Sequence, residues 1–381
     1  MRVAIVTETY PPEINGVALT VAGLARGLKA GGHDVQIIRP RQPGFDKEFP
    51  DREPAQNDDF LVLGMRIPRY PGLRFGLPAR RKIEALWKSG KPDAVYVATE
   101  GPLGSSALQA AQTLGIPACS GFHTRFDEFV RYYGLSWITP LVLAYLRRFH
   151  GRSAKTLVPT SELADFLRDK GFDNVELLRR AVDTRLFSPE RRSMKLRREW
   201  GLGDDQLAVI HVGRLAAEKN LELAVRAFRA IQKERKDARF VWVGDGPARA
   251  GLQANNPDFI FCGMQRGEAL AAHYASGDLF LFPSLHETFG NVTLESMASG
   301  VPAVAFDYGA AREHLCDDCG RRIPYNDEAA FIAAAVELAR DDAARHPMRK
   351  LARNAVAALD PSHVCANFAA VLGGLKAGSA A

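Results

Sequence analysis

His286-Glu287-Thr288-Phe289-Gly290-Asn291-Val292-Thr293-Leu294-Glu295 follows the apolar run Leu279-Phe280-Leu281-Phe282, which Pro283 stops. The pattern reads as a buried strand, a polar turn and a helix over about 291–299, with Gly300 at its C-terminal end and Pro302 beyond. A helix N-terminus presents unpaired backbone N–H groups and the positive end of the helix dipole. The amides of Phe289, Gly290 and Asn291 therefore suit phosphate or sugar oxygens. Gly290 lets such a ligand come close. Carboxylates suit hydroxyls: Glu287 in the turn would accept from a sugar, and Glu295, two turns along, from the hydroxyl pair of a ribose. Two glutamates at this separation also occur as a solvated loop residue and a helical one, so the rest of the chain decides their meaning.

Upstream, the strand-like Ala208-Val209-Ile210-His211-Val212 runs into Gly213-Arg214-Leu215-Ala216-Ala217-Glu218-Lys219-Asn220 and then a helix carrying Leu221, Leu223, Ala224, Ala227 and Phe228. An arginine fork and a lysine point charge after a strand are what a diphosphate needs, since together they neutralise charge that a metal ion would otherwise carry. Taken singly, Arg214 and Lys219 read as surface charges at a helix start. In combination with the two glutamates they read as a site.

The whole chain alternates in the same way. Strands are predicted over 3–6, 35–39, 94–98, 117–120, 156–158 and 175–178, interleaved with helices over 17–30, 103–114, 138–152 and 161–170. The second half repeats the alternation with strands over 208–212, 239–243, 259–261, 279–282 and 303–306. This is the pattern of an α/β protein with two doubly wound parallel sheets, each with its own core. The boundary is expected at 179–189, giving domains over 1–182 and 190–358 and a basic helix over 191–200 just past the join. In open sheets of this type ligands bind outside the carboxyl ends of the strands, so the two domains are expected to face each other across a cleft. Gly16, at the start of the first helix with Asn15 as its cap, and His123, in the loop after strand 117–120, occupy such ends.

These residues resemble the donor site of glycosyltransferase family 4: Gly213-Arg214 with Lys219, then Glu287 and Glu295 with seven residues between them. The resemblance spans about 3–327 and includes Pro11-Pro12-Glu13-Ile14-Asn15-Gly16, Gly121-Phe122-His123-Thr124, Val182-Asp183-Thr184 with Phe187 and Pro189, and Gly244-Asp245-Gly246-Pro247. The wording is similar to the bacterial mannosyltransferase and sulfoquinovosyl-lipid synthase-like branch. It implies the GT-B fold, two Rossmann-like domains facing across a cleft, with the segment after about Asp360 crossing back onto the first. It also implies a retaining transfer of a hexose from a nucleoside-diphosphate sugar to a hydroxyl acceptor, a lipid or cell-envelope glycan.

By the resemblance Gly16 admits the donor phosphate, His123 orients the donor sugar, Arg214 and Lys219 stabilise the leaving diphosphate, and Glu287 holds the sugar. No cofactor or metal is implied, and GDP-mannose is favoured over a UDP-hexose. Where family members show Asn-Gly or Arg-Gly before Val-Asp-Thr, this chain has Arg179-Arg180-Ala181, which puts domain closure or acceptor preference in question. A sugar-nucleotide-binding sensor or scaffold, or a GT-B epimerase or hydrolase, are the alternatives. A dinucleotide oxidoreductase lacks its G-x-G-x-x-G.

Composition fits an enzyme of this size, with 381 residues, 46% hydrophobic and 25% charged. The start at Arg2-Val3-Ala4-Ile5-Val6 lacks the long apolar region of a signal peptide, and five scattered cysteines suggest reduced thiols, so a cytoplasmic location is expected. Cys316-x-x-Cys319 lacks the second pair a zinc site needs. The net charge of +6 lies wholly in the first half, with 25 Lys and Arg against 19 Asp and Glu over 1–182 and 25 against 25 over 183–381. Residues 60–83 contain no acid but carry Arg66, Arg69, Arg74, Arg80, Arg81 and Lys82 among Ile67, Tyr70, Leu73, Phe75 and Leu77. Such a mixture suits either a solvated loop or peripheral contact with anionic lipid at the inner face of the plasma membrane, through 66–82. No nucleic-acid-binding module is visible. The longest apolar run, 137–146, is shorter than the roughly 18 residues a membrane span requires and contains Pro140, so it is read as a core helix or an interfacial one.

Overall fold

The computed structural model describes residues 1–13, 15–42, 59–66, 74–123, 136–287 and 289–378. The chain divides into two compact units, Met1–Ala181 with Pro361–Ala381, and Val182–Asp360.

Unit 1 is built on a seven-stranded parallel sheet ordered β3-β2-β1-β6-β7-β8-β9. These strands are β1 Arg2–Val6, β2 Asp34–Pro40, β3 Asp59–Val62, β6 Ala94–Val97, β7 Ala118–Gly121, β8 Lys155–Val158 and β9 Val175–Leu177. A two-stranded antiparallel ribbon, β4 Gly64–Arg66 with β5 Arg74–Gly76, stands outside the sheet. The central strands are continuous apolar runs because helices cover both faces. One face holds helices Gly16–Ala30 and Pro361–Gly378, which pack Leu24, Leu28, Phe368 and Leu372 against Ile5 and Tyr96. A Cβ built on Gly27 would overlap the Cys365 side chain, so that glycine sets how closely the two helices approach. Helices Arg80–Ser89, Pro102–Thr113 and Thr139–His150 cover the other face through Ile83, Trp87, Leu103, Leu108 and Phe149. Asn15 caps the first helix, its Oδ1 accepting from Ala18 N at 2.8 Å.

Unit 2 carries a six-stranded parallel sheet ordered β12-β11-β10-β13-β14-β15. Its strands are β10 Ala208–Val212, β11 Arg239–Val243, β12 Ile260–Gly263, β13 Leu279–Phe282, β14 Ala303–Phe306 and β15 Gly320–Ile323. Two apolar layers flank it, one around Phe280, Leu294 and Met297, the other around Phe228, Trp242 and Phe331.

The doubly wound parallel architecture expected from the alternation is present, with differences at the sheet edges, at helix Arg80–Ser89, which was not expected, and at the domain join. Strands β3 and β15 were not read from the sequence: Asp59-Phe60-Leu61-Val62 is short and half exposed, and Gly320-Arg321-Arg322-Ile323 carries the charges that edge strands use against association. The basic helix expected over 191–200 is instead a 3₁₀ turn Pro189–Arg191 and a short helix Met194–Glu199, divided where Ser193 caps Leu196 N at 3.2 Å. Arg197 in it is buried, bonded to Asp278 Oδ2 at 2.9 Å and to the carbonyl of Ser276 at 2.8 Å.

Candidate active site

The order of the unit 2 sheet reverses between β10 and β13, and at such a switch point the crossing helices diverge and leave a crevice at the carboxyl ends of the strands. Gly213 and Arg214 leave β10 there, and the turn bearing Glu287 leaves β13. The β10 turn is tied to its neighbour: Gly213 N donates to Val243 O at 3.0 Å and Leu215 N to Asp245 O at 2.9 Å. A 3₁₀ turn Ala217–Lys219 then swings Lys219 back, and Lys219 Nζ donates to Glu287 Oε1. Ser284 Oγ donates to the same oxygen at 3.0 Å, and Glu287 Oε2 has no protein partner among the described residues. The two side chains are only 14% and 17% exposed, so the pair is largely sheltered yet open at one edge. Arg214, more exposed, donates to Glu218 Oε1. Each cation is therefore balanced by a carboxylate, and an incoming diphosphate must compete with Glu218 and Glu287 for them.

Gly290 caps helix Asn291–Ala298 with φ 91°, a left-handed conformation that glycine adopts without cost. The amides of Phe289, Gly290 and Asn291 have no acceptor among the described residues, as expected at a first helical turn. The Phe289 ring itself is core, and its carbonyl accepts from Ala310 N at 2.6 Å, anchoring the loop. A small recess beside it is lined by Phe282, Glu287, Phe289, Thr293 and Tyr308.

Glu295 lies further down the helix, half-buried, with Oε2 accepting from the Tyr274 hydroxyl at 2.9 Å. Burial raises its carboxyl to about 7, and the Tyr274 bond offsets only part of that. The folded state thus keeps a proton that the unfolded chain releases near 4.5. That contribution to stability is complete below about 4.5 and is lost as pH rises through about 7. Relative to Glu295→Gln, the parent protein is expected to lose up to about 3 kcal/mol between these limits. Urea midpoints of both proteins measured across that range check this, and parallel curves would contradict it.

In unit 1, Gly16 opens the first helix and His123 follows β7. His123 is buried; its Nδ1 is bonded to an Arg180 amine at 2.9 Å and its Nε2 to the Tyr96 hydroxyl at 2.7 Å. Burial and the adjacent guanidinium hold the imidazole well below its ordinary pKa, so it is neutral. Both ring nitrogens are thereby engaged by the protein. Gly16 and His123 belong to unit 1, whereas Arg214, Lys219, Glu287, Phe289, Gly290, Asn291 and Glu295 belong to unit 2. The structure brings Lys219 and Glu287 into contact and gives Arg214 and Glu295 partners, Glu218 and Tyr274, that sequence reasoning did not single out. Tyr96 and Arg180 were likewise missed as partners of His123: Tyr96 sits mid-strand without a pattern, while Arg180 fits the Arg-Gly form of the motif before Val-Asp-Thr, where the departure is Ala181.

A pair of cations at a sheet switch point, beside a helix N-terminus and a carboxylate, suits a ligand that carries both phosphate and hydroxyl groups. The model for glycosyl transferases group 1 matches residues 206–341, and that for Glycosyltransferase Family 4 matches 14–186. A GDP-mannose-dependent alpha-mannosyltransferase of Mycolicibacterium smegmatis is 37% identical over 321 residues, covering 82% of this chain and 81% of that protein. A GDP-mannose-dependent alpha-(1-6)-phosphatidylinositol dimannoside mannosyltransferase of Mycobacterium tuberculosis is 29% identical over 381 residues, covering 98% and 97%. Among solved structures, a sucrose-phosphate synthase of Thermosynechococcus elongatus superposes with TM-score 0.76 at 18% identity, covering 99% of both chains, and shows the shared fold. The chain belongs to glycosyltransferase family 4. It is a hexosyltransferase that draws on a nucleotide-sugar donor.

Proposed function

We propose that this enzyme transfers mannose from GDP-mannose to a hydroxyl of a lipid acceptor, with unit 2 binding the donor and unit 1 serving the acceptor. The observation that carries the donor assignment is the Lys219–Glu287 pair with Arg214 at the β10–β13 switch point. On donor binding Arg214, Lys219 and the amides of Phe289, Gly290 and Asn291 take the diphosphate, Glu287 turns to the sugar hydroxyls and Glu295 to the ribose. The C1–O bond to the diphosphate breaks as the acceptor oxygen bonds C1, and the acceptor proton leaves with the phosphate. Charge growing on the leaving group meets two fixed cations and a helix terminus, an electrostatic provision that needs no divalent ion. GDP-mannose is favoured because the mannosyltransferase relatives named above use it, and a lipid because one of them acts on a phosphatidylinositol dimannoside.

Unit 1 also has a surface suited to peripheral contact with an anionic bilayer. Helix Arg80–Ser89 begins Arg80-Arg81-Lys82 with no acid in its first turn, which sets three cations against the positive end of the helix dipole. In the same layer, Trp137, Leu141 and Tyr145 form an exposed apolar row ending at the exposed Arg147 and Arg148. Residues 67–73 of the basic stretch, including Arg69, lie outside the described residues. The free thiols accord with a location on the cytoplasmic face. Trp137→Ser with Leu141→Ser is expected to reduce sedimentation with phosphatidylglycerol vesicles severalfold while leaving nucleotide binding unchanged, and equal sedimentation would remove this surface from the proposal.

The donor reading is tested by thermal shift against GDP, UDP and ADP in EDTA, followed by transfer of radiolabelled mannose from GDP-mannose to a lipid extract. A GDP-selective shift lost in Arg214→Ala is expected, together with label in the lipid phase. A shift with UDP alone would replace the donor, and label confined to water-soluble products would replace the acceptor.

A further inference from the structure

We propose that Arg180 is a positioning residue for the transfer reaction: it holds His123 in one orientation as the neutral imidazole protonated on Nε2. The inference rests on the reading that His123 serves the donor sugar. A guanidinium has N–H donors and no lone pair to accept with, so the 2.9 Å contact between Arg180 and His123 Nδ1 requires a bare Nδ1. The ring proton then sits on Nε2 and is donated to the Tyr96 hydroxyl at 2.7 Å. The other tautomer, and the imidazolium, would each set N–H against N–H.

Two further features serve the same arrangement. A Cβ built on Gly121 would overlap the Tyr96 hydroxyl and lie 2.6 Å from His123 Nε2, so the glycine of Gly121-Phe122-His123 makes room for that bond. The Tyr96 ring is braced edge-on by Phe368, with centroids 5.0 Å apart.

Arg180 is an expensive way to fill this position. It is 6% exposed, and among the described residues no carboxylate pairs with it and its Nε and one terminal amine have no hydrogen-bond partner. A buried, unpaired guanidinium destabilises a fold, and such features persist where they serve a site. Besides Arg180 and Tyr96, His150 is the titratable group that bears on His123, and its influence also opposes protonation. The imidazole is thus held neutral and in one orientation, with the local charge carried by Arg180 behind it.

The experiment compares the full-length parent protein with Arg180→Met, Arg180→Lys and His123→Ala, reading kcat, KM for the sugar nucleotide, GDP affinity, Tm and the imidazole tautomer by 15N NMR. Arg180→Met is expected to lower kcat about 10- to 100-fold with KM nearly unchanged, to lose the single Nε2–H tautomer, and to melt no lower than the parent. Arg180→Lys, which keeps a cationic donor, restores much of kcat. Should Arg180→Met fail to fold, Arg180→Gln decides: its amide can donate or accept, so mixed tautomers and a lowered kcat are expected. Unchanged kcat in Met or Gln, an unchanged tautomer, or a Tm that falls in proportion to kcat would overturn the proposal in favour of a packing role. His123→Ala with full activity would instead sink the reading beneath it, while an inactive His123→Ala beside a fully active Arg180→Met sinks only the role of Arg180.

Discussion

Lys219→Met is expected to lower transfer about 10²- to 10³-fold, the range seen when one preorganised donor to a developing anion is removed. The lysine is sheltered and aimed at one oxygen of Glu287, which fixes the ammonium near the turn that leaves β13. Methionine keeps most of the stem and removes the charge. Among the described residues it also leaves Glu287, only 17% exposed, with Ser284 as its remaining partner, an imbalance expected to cost about 1–3 kcal/mol of stability. The two effects separate in the double variant with Glu287→Gln. Stability should return toward the parent because no charge is stranded, while activity stays low because the diphosphate has still lost its cation and the sugar its carboxylate, the latter loss being read from the Glu287→Gln single variant. Chemical unfolding and single-turnover kinetics on the four proteins of this cycle give both numbers. If the double variant recovered transfer as well as stability, Lys219 would be a structural partner of Glu287 and the donor site would need another cation.

Gly244→Ala should unfold unit 2 more easily by about 2–4 kcal/mol and abolish GDP binding at concentrations that saturate the parent. Gly244 has φ 135°, which L side chains rarely adopt, and its added Cβ would overlap the carbonyl oxygen of Gly213. Backbone cannot yield as a flexible side chain can. The Gly213-Arg214 turn would have to move, and with it the bond from Gly213 N to Val243 O at 3.0 Å that ties β10 to β11. Gly251, in helix Arg249–Asn255 with open space where its Cβ would lie, is the control. Gly251→Ala should hold or gain up to about 1 kcal/mol. Equal stability of the two variants would mean that the close approach at Gly244 is unimportant.

The parallel sheets were legible because buried strands such as Ala94-Val95-Tyr96-Val97 and Leu279-Phe280-Leu281-Phe282 are apolar throughout and bounded by turn residues. Edge strands were not, since β15 is half arginine and β3 begins with aspartate, compositions that local pattern assigns to loops. The same division holds in the candidate site. Residues that end strands or begin helices, Gly16, His123, Arg214 and Gly290, announce themselves by position. Their partners do not: Glu218 and Ser284 are ordinary loop polars, and Tyr96 is 27 residues from His123, so only tertiary packing joins them. The apolar row on helix Thr139–His150 shows the limit of periodicity alone. The helix buries Leu146 and Phe149 while exposing Leu141 and Tyr145, so it is neither wholly core nor wholly surface.

Helix Pro361–Gly378 completes the layer over β1, β6 and helix Gly16–Ala30, although 179 residues of unit 2 lie between it and the rest of unit 1. During translation the first 181 residues therefore emerge with one apolar face uncovered, including Ile5, Leu24 and Tyr96. They must wait for the whole of the intervening unit to be made before that face is closed. At roughly 5–20 residues per second this is an exposure of about ten seconds or longer, a window in which a chaperone holding the nascent chain would raise the yield. The second unit is contiguous and can close its own core as soon as it leaves the ribosome, so the later-made half is expected to reach its native state first.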